Sequence, residues 1–311
     1  MGAERYIRLV CSARTSVGQV RDNNEDSLRL WSDAEFALAV VADGMGGAAA
    51  GEEASGLAVQ AVEDALAQSE YANRAHLETL TDEFITIKMQ EAIKLANLNI
   101  VQLAANNPDK RGMGTTVTLA LVRGTHALLA HVGDSRAYHV EARARRITQV
   151  TADHSFVEAL VAAGHLTHEQ AEEHPMKNVL YRALGQSEEV EVDIYSLQLE
   201  ISDRMILCSD GLTRHVKPAE IGEIALRFPN PADASLAMID LANQRGGEDN
   251  VSVIIVKVEA DETNDPNDIS TVELRPVSLK EEDTMRLKTK PLDGLPKSIL
   301  STDDADSTLK P

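Results

Sequence analysis

Carboxylate side chains stand where short apolar runs of the sequence begin or end. In VVADGMGG, residues 40–47, the apolar run leads directly into Asp43, which is followed by Gly44 and two further glycines. A single Asp-Gly pair most often forms a turn, because Asp caps free amides and glycine adopts positive φ. The chain contains five such stretches, and turn formation alone does not explain why a carboxylate stands in each of them. The other four are RDNNEDS, AHVGDSRAY, MILCSDGL and QRGGEDNVSV, which contain Glu25 and Asp26, Asp134, Asp210 and Asp249.

The residue types favour a hard divalent cation as the partner of these carboxylates. Carboxylates gathered at one rim of a sheet would repel each other and raise each other's pKa, and a divalent cation removes this repulsion. Oxygen ligands, without Cys or His in ligand spacing, favour Mg²⁺ or Mn²⁺ over zinc. A central Asp43 could bridge two ions, and Gly44 lets its carbonyl approach one of them. Two ions ~3.5–4 Å apart would hold and acidify a water for in-line attack on phosphorus.

A phosphate-binding metal site also needs a planar, bidentate cationic donor beside the ions. Arg21, four positions before Glu25, is the candidate, although an arginine near carboxylates is often only a surface salt bridge. Arg136, two residues after Asp134, is interpreted as a structural residue that holds its turn.

Most of the elements that must position these residues are predicted strands. Pairs of helical stretches separate groups of strands along the chain, and this order predicts an α+β sandwich. Helices with apolar steps of three and four are predicted over residues 52–68, 76–104, 156–174, 218–228 and 232–244. Strands are predicted over residues 6–13, 27–31, 36–42, 115–122, 127–132, 137–140, 192–199, 204–209 and 251–258.

The composition changes near residue 259, and we expect one folded domain over residues 1–259. Residues 260–311 carry 12 acidic and 7 basic side chains and several prolines, without sustained periodicity. Such a tail has too little apolar surface to offset its ordering entropy, so we expect it to be disordered. It is either a passive extension or a docking segment for a kinase or scaffold.

Charge and cysteine content exclude some classes of partner. The 311-residue chain has a net charge of −20, which argues against binding to nucleic acid or to anionic membranes. No apolar run approaches the ~20 residues that a bilayer span needs. Cys11 and Cys208 lie in apolar runs and are expected to be core thiols of a reducing, cytoplasmic protein.

Seven motifs in this order resemble the bacterial branch of the metal-dependent protein phosphatases of type 2C. The resemblance covers residues 8–257 and implies two stacked antiparallel β-sheets flanked by helices, an α/β/β/α sandwich with the metal site at one end. The motifs are VRDNNEDS, VVADGMGG, GMGTTVTLALV, HVGDSRAY, TADHSFVEALVAAGHLTHEQAEEHPMKNVLYRALG, CSDGL and GGEDNVSVIIV.

The resemblance also implies roles for individual residues. Asp43 corresponds to the bridging ligand and Gly44 to the carbonyl ligand of the second ion, while Asp210 and Asp249 correspond to ligands of the first. The remaining roles are water-mediated metal binding for Glu25 and Asp26, a weaker third ion for Asp134 with Asp210, phosphate binding for Arg21, and a substrate-selecting flap for residues 156–184.

Two departures from the family concern the general acid. Eukaryotic relatives have a histidine where this chain has Met45, and many bacterial relatives have one where it has Ala48. A metal-bound water on the third ion is then the better candidate to protonate the leaving oxygen. His154 is the alternative, although a lone polar residue in a turn is more often structural.

The expected function is a protein serine/threonine phosphatase that reverses a bacterial serine/threonine kinase, acting as a monomer on phosphorylated proteins. One alternative is a regulatory phosphatase dedicated to a single phosphoprotein in a partner-switching cascade, which the flap disfavours. A non-enzymatic pseudophosphatase is the other. Loss of Asp43, Asp210 or Asp249 would have indicated it, and all three are present.

Overall fold

Two antiparallel β-sheets stack face to face, and helices cover the outer face of each. The computed structural model describes residues 7–46, 50–67, 80–261 and 275–276. Sheet I has the strand order β1-β11-β10-β7-β8 and sheet II the order β12-β2-β3-β5-β6-β9, with β4 paired to β3. The strands are β1 (Ile7–Ser16), β2 (Asp26–Ser32), β3 (Phe36–Met45), β4 (Gly114–Thr115), β5 (Val117–Arg123), β6 (His126–Val132), β7 (Arg136–Glu141), β8 (Arg146–Gln149), β9 (Asp193–Gln198), β10 (Arg204–Cys208), β11 (Val251–Ala260) and β12 (Arg275–Pro276).

Helices lie on both outer faces of the sandwich. A π-helical turn, Glu63–Ala67, continues α1, and a 3₁₀ turn, Pro108–Lys110, follows α2. The helices are α1 (Ala50–Val62), α2 (Asp82–Asn106), α3 (Phe156–Ala162), α4 (His168–Glu172), α5 (Asp210–Thr213), α6 (Pro218–Arg227) and α7 (Pro231–Gln244). Among the described helices, none is long and apolar enough to cross a membrane.

Strand alternation divides the apolar residues into three layers. In β3, Leu38 and Val40 pack with α1 and α2, whereas Ala39 and Val41 pack between the sheets with residues of β10 and β11. A third layer joins the outer face of sheet I to α6 and α7. Because successive side chains of a strand point to opposite faces, one chain segment serves two layers. The predicted α/β/β/α sandwich is confirmed.

The local predictions differ most from the structure at three places, besides shifts at element ends and the unpredicted turn of α5. Strand β8, with the sequence RITQ, is short and mostly exposed at a sheet edge, so it carries little apolar signal. The helix predicted over residues 156–174 is two helices, separated at Gly164, whose φ is +74°. Asp43 lies within β3 and not in a turn, because β4 pairs Gly44 with Thr115 and prolongs the strand to Met45.

Strand β11 runs the full length of sheet I beside β1, with Ile7 opposite Ala260 and Ser16 opposite Val251. The predicted disordered tail lies outside the described residues, apart from Ala260 at the end of β11, Asp261 and the two residues of β12. Strand β12 pairs with the outer edge of β2, opposite Trp31 and Ser32.

Candidate metal and phosphate site

Asp43 and Asp26 face the space between the two sheets. Asp43 continues the alternation of Ala39 and Val41, which pack between the sheets, and Asp26 continues that of Leu28. The two aspartates are direct cross-strand partners on β3 and β2. Like charges directly opposite each other are destabilising, so this pair requires compensating positive charge or a proton.

Sheet I contributes two further carboxylates at the same end of the sandwich. Asp210 is the first residue of α5 and is separated from the end of β10 by one residue, Ser209, and Asp249 lies two residues before β11. Ser209 connects the sheets, because its hydroxyl donates to Asp26 Oδ2 at 2.7 Å and accepts from the Ser252 amide at 3.0 Å.

Asp134 lies in the crossing from β6 of sheet II to β7 of sheet I. Gly133, with a φ of +114°, makes this turn, and its amide donates to His154 Nδ1 at 3.1 Å. Asn250 holds the loop that carries Glu25, because its side chain accepts from the Glu25 amide at 2.7 Å and donates to the Asn23 carbonyl at 2.9 Å.

Burial, and after it the repulsion between neighbouring carboxylates, raises the pKa of several members of the cluster. Desolvation, followed by the neighbouring carboxylates, raises the pKa of Asp43 well above its ordinary value. Desolvation likewise raises the pKa of Asp26 to about 7 and that of Asp134 to about 8. The pKa of Asp210 is also raised, first by desolvation, although Arg214 beside it acts in the opposite direction.

The residues present fit a hard divalent cation. Asp210 Oδ1 is buried and has no hydrogen-bond partner, and such an oxygen is costly unless a cation or a proton meets it. The cluster offers carboxylate and carbonyl oxygens, the donor set that Mg²⁺ and Mn²⁺ prefer. In the described part of the chain, no three Asp, Glu, His or Cys side chains lie in an arrangement that could hold a metal ion as they stand. Arginine side chains instead bind two of the carboxylates directly.

Two glycines are required by close backbone approach. A Cβ on Gly44 would lie 2.6 Å from the Glu25 carbonyl oxygen and closer still to that of Gly51. A Cβ on Gly211 would overlap the carbonyl oxygen of Asn250. The glycines after Asp43 and Asp210 therefore let the carboxylate-bearing segments pack against each other.

Two arginines lie at the rim of the cluster. Arg21 Nη2 donates to Asp249 Oδ2 at 3.0 Å, and Arg21 Nη1 lies 3.7 Å from Glu25. Arg214, which the sequence reasoning missed, donates to the same oxygen of Asp249 at 2.9 Å and bonds Asp210. Its spacing of four residues from Asp210 was the available signal, since residues i and i+4 of a helical turn are neighbours.

Arg136 is structural, as predicted. It forms a fork with the Asp153 carboxylate at 2.9 and 2.6 Å and donates to the Tyr138 hydroxyl at 3.2 Å. These contacts tie the start of β7 to the segment that precedes the flap.

His154 also makes structural contacts. It is buried, accepts from the Gly133 amide at Nδ1 and lies 3.2 Å from Asp193 through Nε2, so both ring nitrogens have partners in the fold. Burial lowers its pKa. Met45 ends β3 opposite Gly114, and Ala48 lies outside the described residues.

Comparisons with known proteins identify the family of this chain. A family described as protein phosphatase 2C matches residues 15–244. The serine/threonine phosphatase stp of Listeria innocua is 38% identical over 245 residues, which cover 78% of this chain and 94% of the relative. The serine/threonine protein phosphatase PstP of Mycobacterium tuberculosis is 39% identical over 250 residues, covering 79% of this chain and 44% of PstP.

Solved structures of such phosphatases share the fold. The catalytic domain of PstP, in complex with two manganese ions, superposes with a TM-score of 0.68 at 36% identity, covering 82% of this chain and 100% of that domain. The two-sheet sandwich, the carboxylates that both sheets bring to one end, and a family match over most of the folded residues lead to one assignment. This chain belongs to the protein phosphatase 2C family.

Proposed function

We propose that this chain is a metal-dependent protein serine/threonine phosphatase whose active site is the carboxylate cluster between the two sheets. The observation that carries the proposal is the convergence of Asp26, Asp43, Asp134, Asp210 and Asp249, each on a different strand end or turn, with an unpartnered buried oxygen on Asp210. A fold gains no stability from gathering like charges in this way, so the arrangement points to function.

Each residue has a proposed part in holding the ions and the substrate. Asp43 and the Gly44 carbonyl would hold one ion, and Asp43, Asp210 and Asp249 the other. Glu25 and Asp26 would act through bound waters, and Asp134 with Asp210 would hold a weaker third ion. Two Mn²⁺ or Mg²⁺ ions supply a water nucleophile at neutral pH and stabilise charge on the phosphoryl oxygens.

A side chain of the protein, rather than an ion, would position the phosphoryl group. Arg21 lies at the rim, its side chain 46% exposed, where its guanidinium can reach both the carboxylates and solvent. A planar guanidinium matches two phosphoryl oxygens at once. The structural contacts of His154 support a general acid other than this side chain.

The physiological setting is part of the proposal, and the names of the relatives and the free cysteines support it. The relatives are phosphatases of serine and threonine in proteins, and we propose that this chain opposes a serine/threonine kinase in the cytoplasm, as a monomer. Free Cys11 and Cys208 support a reducing compartment.

The test is metal-dependent hydrolysis of p-nitrophenyl phosphate and of a phosphothreonine peptide. We expect turnover with Mn²⁺ or Mg²⁺, reversible loss in EDTA, and a loss of orders of magnitude in kcat for Asp43→Asn and Asp210→Asn. Both variants should remain folded, because an amide in place of either carboxylate relieves repulsion within the cluster, and in Asp210→Asn this relief offsets the weakened ion pair with Arg214. Asp240→Asn, an exposed carboxylate on α7, is the control.

Two results would contradict the proposal. Turnover by wild-type protein in metal-free EDTA buffer would exclude a metal-dependent reaction. Metal binding without hydrolysis of either substrate would instead favour the pseudophosphatase.

A further inference from the structure

Two guanidinium groups meet at one carboxylate oxygen of the site. Arg21 Nη2 lies 3.0 Å from Asp249 Oδ2, and Arg214 Nη1 lies 2.9 Å from the same atom. The two nitrogens therefore lie within roughly 6 Å of each other, a span that one bound anion with several acceptor oxygens can bridge. Both side chains are partly exposed, 46% for Arg21 and 32% for Arg214, so a ligand from solvent can reach them.

We propose that Arg214 is a second phosphate-binding residue, which acts with Arg21 as a two-arginine clamp on the phosphoryl group of the substrate. This inference rests on the proposed function. A phosphomonoester dianion carries three terminal oxygens, and two planar guanidinium groups can satisfy them with paired N–H donors.

Arg214 is less exposed than Arg21 and bonds Asp210 as well as Asp249. Arg214 caps the single turn of α5, where its amide donates to the Asp210 carbonyl at 2.9 Å and its side chain lies over the Asp210 carboxylate. Asp43 and Asp134 lie within its electrostatic reach as well. Arg214 therefore lies beside the carboxylates that would hold the ions, next to the place where a phosphoryl group bound to those ions would lie.

The present partners of both arginines are the carboxylates that we propose as metal ligands. When a divalent cation neutralises Asp210 and Asp249, the guanidinium groups lose most of the attraction that holds them there. The strongest partner that then remains nearby is a phosphoryl dianion. Arginine fits this exchange better than lysine, because its fork can bind two oxygens and keeps its charge.

The experiment measures phosphate binding apart from turnover. Mg²⁺-loaded wild-type protein, Arg214→Ala, Arg214→Gln and Arg214→Lys are titrated calorimetrically with inorganic orthophosphate. We expect the Kd to rise about ten- to a hundredfold in Arg214→Ala and Arg214→Gln and by less in Arg214→Lys. The KM for p-nitrophenyl phosphate should rise with it. Arg146→Ala, which removes an arginine bonded to Glu141 at the opposite end of sheet I, is the matched control and should leave both constants unchanged.

A second titration, with Mn²⁺ alone, separates the clamp from a purely structural role. If Arg214 only balances the charge of Asp210 and Asp249, Arg214→Gln should bind Mn²⁺ more tightly while its orthophosphate Kd stays at the wild-type value. That result would show that the proposed two-arginine clamp is wrong. An unchanged orthophosphate Kd in a folded Arg214→Ala variant has the same meaning. Absence of hydrolysis by the wild type contradicts the proposed function, and the orthophosphate titration still decides the role of Arg214.

Discussion

Asp26 and Asp43 face each other across neighbouring antiparallel strands, and the three other aspartates of the cluster act on the same space. The raised pKa values of Asp26 and Asp134 mean that these carboxyl groups keep a proton in the folded protein at pH values where the unfolded chain has released it. The stability that these carboxyl groups contribute is complete below their unfolded pKa of ~4 and is lost as the pH rises through their folded pKa. For Asp26 and Asp134 the folded values are about 7 and about 8.

The metal-free protein should therefore become less stable as the pH rises from 6 to 8.5. For each carboxyl group that loses its proton in this range, the free energy of unfolding falls by up to about 1.4 kcal/mol per pH unit. Asp134→Asn should make the stability depend less on pH, because an amide does not titrate. Thermal unfolding in EDTA, followed by circular dichroism across this range, measures the effect. A melting temperature that is constant or increases with pH would show that the cluster is not protonated.

Arg21 can be tested as a ligand of phosphate by its effect on catalysis. A bidentate, charge-assisted contact is worth ~1.5–3 kcal/mol, so Arg21→Ala should lower kcat/KM about ten- to a hundredfold. Arg8→Ala removes a comparable arginine from an exposed pair with Glu259 and should leave the kinetics unchanged. If Arg21→Ala instead lowers the melting temperature and keeps wild-type kinetics, Arg21 is a structural salt bridge.

At this scale the acidic residues could be predicted and the second arginine could not. Asp43, Asp210 and Asp249 each stand beside an apolar run and a turn residue, which is a readable signal. Arg214 stands in SDGLTRHV, four residues after Asp210, but ordinary surface ion pairs on helices share this spacing, so it does not single the arginine out. Its role depends on Asp249, which is distant in sequence, and such contacts are specified only by the fold.

At the scale of elements, strand and helix identities were predicted more reliably than their ends. The sequence pattern predicts the end of β3 at residue 42, because an Asp-Gly pair commonly forms a turn, yet pairing with β4 continues the strand through Asp43. Tertiary pairing thus overrides local propensity, and it gives Asp43 a fixed strand geometry that a turn would not provide.

The contact between the start of α5 and the segment before β11 predicts a large effect from one methyl group. Gly211→Ala would place its Cβ on the Asn250 carbonyl and push Asp210 away from Asp249, so we expect a destabilisation above about 2 kcal/mol and loss of metal binding. Gly56→Ala, in α1 with no atom near the added methyl, should instead stabilise by about 0.5–1 kcal/mol.

Chemical denaturation and Mn²⁺ titration of these two variants provide the measurement. Equal stability changes in both glycine variants would show that α5 and the Asn250 segment can move apart freely, and that Gly211 has no special role.

At the scale of the whole molecule, the site belongs to neither sheet alone. Asp26 and Asp43 come from sheet II, whereas Asp210 and Asp249 lie at the ends of strands in sheet I. The sandwich was readable from its motifs and from the alternation of strands and paired helices. The stacking that closes the site depends on the apolar layer between the sheets, which sequence patterns place only in outline.

We propose that the folded unit ends with β11. Truncation after Ala260 should leave p-nitrophenyl phosphate turnover unchanged and shift the melting temperature by no more than a few degrees, because β12 adds only two paired residues to the edge of β2. Unfolding of the truncated protein would place part of the tail in the core. Slower dephosphorylation of a cognate phosphorylated kinase, but not of a peptide, would support the docking segment over a passive extension.

The pairing of Ile7 with Ala260 places both ends of the folded unit at the pole opposite the carboxylates, since Ser16 and Val251 mark the other end of the same ladder. Ten residues of strand separate the two poles, about 33 Å at ~3.3 Å per residue. A short linker from Ala260 to Ile7 could therefore close the chain into a ring. The ring could be reopened at residues 142–145, the exposed turn between β7 and β8, which lies at the same pole. Such a circular permutant would carry a fused reporter as far from the active site as the fold allows.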